Sequence, residues 1–446
     1  MALGEQVLLK GQPLPKKEGL SGAFFWLSAF YFVYCARPEE WLPGLKFVLL
    51  AKITGLFAFA ALVMSLAKAK RGLRDLPKEA FYLIVMTGLL VLAALTSPVW
   101  AGGSFLHTLD FSKVLVAWVL TFLLITTFGR LRRVIFIQAA SVAVIAVVSI
   151  LKGHNTSRLE GVLGGIYSNP NDLAFAIVLS LPFCLAFLLT AKSLPRKLIW
   201  AFAMLVMSAA LFLTASRAGF IDLVVSGAVC LWHFAVKGRR LHLIAATALI
   251  LSTLAVVVGG PLKDRFFAMS REGVENTFEN RAYGSYEERK YLYFKALEGM
   301  ERHPLLGVGP RCFSNYGGLW KEVHNAYLQI GVEGGIPVLI LYLMFFWRGF
   351  ANLKKLRRRR DLDIHTTLFV GALHSSLIGF IVGALFAPEA YQFFPYFAVA
   401  QTSVLVAIVK EQEAAAVLSS DLSRGPKRPV ENYARNRRSS ELTLVR

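Results

Sequence analysis

Charge is scarce in this sequence: Asp, Glu, Lys and Arg make up 17% of its 446 residues, against about 25% in an ordinary soluble chain. With 56% hydrophobic residues and a mean hydropathy of +0.54, that scarcity excludes a soluble globular fold. Cysteine is scarce as well. Four in the whole chain cannot build a disulfide framework. Cys184 and Cys230 fall in apolar stretches as small packing residues, and whether Cys35 and Cys312 pair stays open. No DxD-like acidic pair or His/Cys cluster points to a metal, and no phosphate-cradling glycine loop points to a nucleotide, so no cofactor is expected. The polar residues 1–17 lack a small-residue cleavage site after a short apolar core, so no removable signal peptide is expected either.

What the chain has in abundance is apolar runs. They recur near 18–36, 45–66, 80–97, 114–128, 133–151, 171–191, 198–214, 218–236, 241–260, 325–347, 365–387 and 391–409. Most are about 17 to 25 residues, the length of a helix that spans a hydrocarbon core of about 30 Å. Lipid leaves backbone groups unsatisfied in any open strand, so the expected fold is all-α, a polytopic membrane protein of about twelve transmembrane helices. The domain reading is residues 1–260 for the first nine helices with an N-terminal cytoplasmic segment, and 261–323 for one large periplasmic loop. Residues 324–409 then hold the last three helices, and 410–446 form a basic cytoplasmic tail expected to be disordered.

A net charge of +21 raises nucleic acid as a partner, but its distribution argues for membrane orientation. Alternate short loops carry Lys68, Lys70, Arg71, Arg74 and Lys78; Arg130, Arg132 and Arg133; Lys192, Arg196 and Lys197; Lys237, Arg239 and Arg240; and Arg348, Lys354, Lys355 and Arg357 to Arg360. The opposite loops hold only Arg37, Lys46, Lys113, Lys152, Arg158 and Arg217. The positive-inside rule makes the first set cytoplasmic. Both termini then lie inside and the 261–323 segment outside.

The organising stretch is HNAYLQIGVEGGIPVLILYLMFFW, His324 to Trp347, where a histidine and an asparagine stand at the mouth of an apolar run that contains a lone Glu333. His324 is either a base or an interfacial cap. Asn325 orients the histidine or an acceptor, and Glu333 reads as a structural partner for a buried polar group. Between the seventh and eighth spans stands Thr214-Ala215-Ser216-Arg217-Ala218-Gly219. Arg217 there runs against the positive-inside bias, and Ser216 can cap the following helix, whose free N–H groups with the guanidinium make an anion site. The alternative is an arginine that snorkels to headgroup phosphates. Arg37, beside Trp41 in the first outside loop, either anchors the interface or helps to hold an anionic ligand. In the long loop, Arg281 precedes Gly284-Ser285-Tyr286-Glu287-Glu288-Arg289, and Leu292, Ala296, Leu297 and Met300 recur at helical spacing. Residues 285–300 therefore read as an amphipathic helix, stopped by His303-Pro304.

The order SRAG, then GSxxxR with an aromatic four residues on (Tyr293), then HPLLGVG, then HNAYLQIGVEGGIPVL resembles the O-antigen ligase and polymerase superfamily of bacterial envelope enzymes. The similarity is strongest over about 210–340. Two departures bear on the subfamily: Tyr293 stands where Trp is usual, and Arg311 where a small residue is commoner. The resemblance implies a metal-independent GT-C-like glycosyltransferase of the inner membrane, working on the periplasmic face. It implies an undecaprenyl-diphosphate glycan donor, and as acceptor a lipopolysaccharide core sugar or another carrier-linked glycan. It implies that Arg217 and Arg289 bind the diphosphate and that His324 is catalytic. Arg37, Ser216, Arg281, Asn325 and Glu333 are possible supports. The implied partners are membrane lipids and these two substrates, with no nucleic acid.

Residue chemistry agrees with those roles. A diphosphate leaving group gains negative charge that fixed guanidinium groups stabilise, and a neutral imidazole takes the acceptor proton near neutral pH. A polymerase would share this machinery. A lipid-linked glycan transporter would need more ionisable residues at mid-span than this chain has.

Overall fold

The computed structural model describes residues 21–42, 44–45, 49–65, 70–152, 158–159, 167, 169–267 and 277–423, with side chains except at 62, 65, 264–267, 277–286 and 418–423. Residues 1–17, His154, Asn155 and the chain beyond 423 therefore lie outside the described residues, as does the side chain of Arg281.

Among the described residues the fold is all-α and 80% helical. In chain order the helices are α1 (Ser21–Ala36), α2 (Pro38–Trp41), α3 (Leu50–Ser65), α4 (Lys78–Leu95), α5 (Ala101–Leu124), α6 (Phe128–Lys152), α7 (Pro170–Thr190), α8 (Leu194–Leu213), α9 (Arg217–Leu231), α10 (His242–Val257), α11 (Gly260–Phe267), α12 (Thr277–Arg302), α13 (Phe313–Tyr316), α14 (Ala326–Gly334), α15 (Ile336–Arg357), α16 (Ile364–Gly383) and α17 (Phe393–Ser423). Among the described residues, nine helices are long and apolar enough to cross a membrane, and three shorter ones (Ser21–Ala36, Leu50–Ala61 and His242–Val257) are also apolar. Most of these fall on the apolar runs read from the sequence, but α5 begins at Ala101, well before the run near 114–128. Proline opens α7, α8 and α15, where its missing N–H costs no hydrogen bond. All four cysteines are buried and free.

The bundle has two chemically distinct ends. At one, Arg71 donates to the carbonyls of Phe122 and Ile125 (both 2.9 Å) and to Glu411 (2.5 Å). Lys70 reaches the same carboxylate (2.5 Å), and Arg359 pairs with Glu413. These contacts overturn part of the reading of the tail: α17 continues past Lys410 to Ser423, because its acidic residues are clamped by basic loops far away in the chain. At the opposite end gather the loops around residues 37–45, 96–100, 213–217, 303–325 and 384–393. The Tyr167 hydroxyl donates to the Cys35 carbonyl (2.7 Å), Ser97 to Val308 O (2.6 Å), and the Ala326 amide to Ala384 O (2.8 Å).

The tenth apolar run is not one helix. It breaks at Gly335, so α14 is a short buried helix that carries Glu333, and α15 alone is the span. The cause is the His303–Gly309 turn, which docks on the break and satisfies the backbone groups that the break releases. Val308 and Gly309 amides donate to the carbonyls of Val332 (2.8 Å) and Glu333 (3.0 Å), while the Ile336 amide donates to Pro304 O (2.8 Å). Gly335 sits at φ +84°, and a Cβ there would stand 2.4 Å from the Leu305 carbonyl oxygen. Gly335→Ala is therefore expected to cost about 1–3 kcal/mol, read as a lowered Tm in detergent.

Helix α12 extends further upstream than the 285–300 reading, and one of its apolar residues faces outward. Leu292 and Ala296 are buried against Val308, Phe313 and Val332, whereas Leu297 is exposed. Gly299 and Gly331 let α12 and α14 cross closely: a Cβ on Gly299 would lie 2.6 Å from Val332, and one on Gly331 2.8 Å from Met300. That crossing brings the α12 segment holding Arg289 towards the loop that holds His324.

Candidate active site

Arg217 is the first residue of α9, and the turn before it is tightly bound. Ser216 Oγ accepts from the Gly219 amide (3.1 Å), capping the helix, and donates to Asn171 Oδ1 (2.8 Å). The same oxygen accepts from Arg158 Nη2 (3.0 Å), and Arg158 Nε donates to Thr214 O (2.9 Å). Ala215 takes the left-handed backbone (φ 48°) that makes so sharp a corner. The starts of α7 and α9 are thus fastened side by side. Each directs the positive end of its dipole towards the same place.

Arg289 lies near enough to Arg217 for the two charges to act on each other. Its Nε is buried and has no hydrogen-bond partner. Burial, and then the Arg217 charge, pull its guanidinium pKa down from the usual value, and a guanidinium stays protonated all the same. Holding two cations together costs energy that an anion between them would return.

His324 lies near Arg289 on the stretch that enters α14. Its Nδ1 is 3.1 Å from the Glu322 carbonyl oxygen. A carbonyl can only accept, so Nδ1 carries the hydrogen and Nε2 presents the lone pair. Burial pushes the imidazole pKa down, and Arg289 pushes it further, against the opposing pull of the Glu322 carbonyl. The result is an imidazole that favours its neutral form near Arg289, with Nε2 as its basic nitrogen.

Residues 202–343 match the family model described as O-antigen ligase. Over these residues the chain is similar to the O-antigen ligase superfamily, which supports that reading of the sequence. No curated protein matches the chain. The matched ligase region contains Arg217, Arg289 and His324, and the fold brings all three to one end of the bundle.

Around this ligase domain stand residues that the sequence did not single out as a group. Arg311 Nη1 is ion-paired with Glu322 Oε1 (2.8 Å), which ties the segment holding His324 to the turn after Gly309. Arg311 has φ 60°, and its guanidinium stands 6.0 Å from the Tyr391 ring centroid. Glu389 shares a hydrogen bond with Asp172 at the start of α7. Burial and then Asp172 hold the Glu389 carboxyl well above the usual range, so this pair keeps a proton. In the sequence Arg311 stood out as a departure from the small residue usual there, and the structure places it just after a turn with two left-handed glycines, Gly307 and Gly309.

The supports named from the sequence separate. Asn325 is the N-cap of α14, its Oδ1 accepting from the amides of Tyr327 and Leu328 (both 3.0 Å), which leaves that oxygen no part in orienting His324. Asn325→Ala is expected to cost about 0.5–2 kcal/mol of stability, and Asn325→Ser, a competent cap, to recover most of it in thermal unfolding. Glu333 is fully buried and its Oε1 accepts from the Phe313 amide (3.4 Å). Arg37, left-handed at φ 46°, is not with the other arginines. It pairs with Glu40 (2.5 Å) and lines a cavity of about 880 Å³ that also touches Arg311.

Proposed function

We propose that the chain is an inverting, metal-independent glycosyltransferase of GT-C type in the bacterial inner membrane. It moves a glycan from an undecaprenyl-diphosphate carrier to a hydroxyl of a lipid A core sugar. The observation that carries this reading is the meeting of Arg217, Arg289 and a neutral His324 within the O-antigen ligase domain. In the transfer, His324 Nε2 takes the proton of the acceptor hydroxyl as its oxygen bonds to the anomeric carbon. The bond from that carbon to the diphosphate oxygen breaks, and the electron pair leaves with the diphosphate. Arg217, Arg289 and the α9 N-terminus stabilise the added charge. These groups supply what a divalent cation would otherwise supply to a diphosphate.

This reading puts the site on the periplasmic face. The opposite end bears Lys70, Arg71, Arg132, Lys237 and Arg357 to Arg360, and the positive-inside rule makes that end cytoplasmic together with both termini. A polymerase that lengthens carrier-linked repeats is the second reading, since its chemistry at the anomeric carbon is the same. Glycans from a strain lacking the gene separate the two. Loss of a ligase leaves long chains stranded on the carrier, whereas loss of a polymerase leaves single repeats. Fusion reporters that placed residues 277–302 in the cytoplasm would sink both.

A further inference from the structure

A cavity whose lining includes neither Arg217 nor Arg289 opens elsewhere in the bundle. It is about 880 Å³ in volume and is walled by α1, α3 and α5, with Pro310, Arg311 and Tyr391 to Phe393 on one side. That volume is near the upper end of the range of about 300–1,000 Å³ usual for binding sites. Its interior is apolar and aromatic, formed by Phe30, Phe59, Phe111, Val116 and Leu120. Leu56 and Phe59 line it while remaining 67% and 47% exposed. The wall on the α3 side therefore opens sideways, towards what would be lipid. Its polar rim carries Arg37, Lys52, Lys113 and Arg311, with Asp110 as the one carboxylate among the lining residues; Arg37 and Arg311 are also ion-paired, with Glu40 and Glu322 outside the lining. Asp110 is already paired with Lys113.

An apolar chamber reached from the membrane, with cations at its rim, fits an amphiphile with an anionic headgroup. Its position decides which one. Arg311 at the rim holds Glu322, and Glu322 holds His324 through its carbonyl. On its other side, His324 neighbours Arg289 and, through it, Arg217. Inversion requires the attacking hydroxyl and the leaving diphosphate to lie on opposite faces of the anomeric carbon. Two lipid-anchored substrates must then approach the anomeric carbon from two sides, the acceptor from the side of the base. We infer that the cavity between α1, α3 and α5 is the acceptor site. It takes acyl chains of a phosphorylated acceptor lipid, with the lipid's phosphate at Arg37, Lys52 and Arg311. This rests on the transfer reading above, and names where the second substrate binds.

The test uses the purified full-length chain in nanodiscs, with labelled rough lipopolysaccharide as probe and phosphatidylglycerol as competitor. Leu56→Trp fills the chamber and Lys52→Glu reverses a rim charge. Each is expected to weaken binding of rough lipopolysaccharide about tenfold, the scale of roughly 1.4 kcal/mol. Each should raise the acceptor KM similarly while the donor KM stays at the wild-type value. That unchanged donor KM also shows that the variants fold. Unchanged acceptor binding in both variants would overturn the assignment. So would displacement of the probe by phosphatidylglycerol at equal concentration, which would make the cavity a site for ordinary phospholipid. Binding that follows these variants in a protein that transfers nothing would keep the cavity as a lipid site and fault the transfer reading instead.

Discussion

His324→Ala is expected to lower glycan transfer by about 10²–10⁴-fold, the usual worth of a positioned general base, with donor affinity unchanged. The separation follows from the site's layout. In the proposed transfer, Arg217 and Arg289 hold the donor charge, whereas His324 meets the acceptor hydroxyl only as its proton leaves. The pH profile carries the same signature. His324 must be neutral to act, and burial and Arg289 both lower its pKa. Activity should therefore hold as pH falls through about 6.5, the reference value for histidine, and be lost only below it. An acid limb above that value would contradict the assignment.

Arg289→Ala should have the next largest effect. Removing one preorganised donor to developing charge costs about 2.7–4 kcal/mol, or roughly 10²–10³ in kcat. Arg289→Lys should recover only part of it, because an ammonium cannot present the planar fork of donors that diphosphate oxygens accept. A second consequence is specific to this neighbourhood. Without the Arg289 charge the His324 pKa rises, although burial still holds it down, so the acid limb of the residual activity should move up. If the limb stayed in place while kcat fell, Arg289 would be acting on the leaving group alone. Arg217→Ala should weaken turnover in the same way without moving that limb as far, since Arg217 is not among the groups that shift His324.

How much of this could be read from the chain depended on distance along it. The membrane-crossing helices were legible because hydrocarbon demands about twenty apolar residues per span, and most of the runs have that length. The gathering of Arg217, Arg289 and His324 was legible only as an order of motifs. The break at Gly335 was missed because the apolar run from 325 to 347 outweighed the Gly334, Gly335 and Pro337 that mark it, and its partners, the amides of Val308 and Gly309, lie in another segment. Ser216 could be read as a helix cap from its position alone, because a cap is a local device. By contrast, Arg311 with Glu322, Asp172 with Glu389, and Arg71 with Glu411 join residues that no local pattern relates. The last of these is why the start of the tail proved helical.

The measurement that bears most directly on the account is transfer by the purified chain from an undecaprenyl-diphosphate-linked glycan to rough lipopolysaccharide. Wild type and His324→Ala would be compared, with EDTA present throughout and donor binding followed alongside. The account predicts transfer by the wild type in EDTA, its loss in His324→Ala, and equal donor binding by both. Transfer that survives His324→Ala, or that stops in EDTA and returns with a divalent cation, would contradict it.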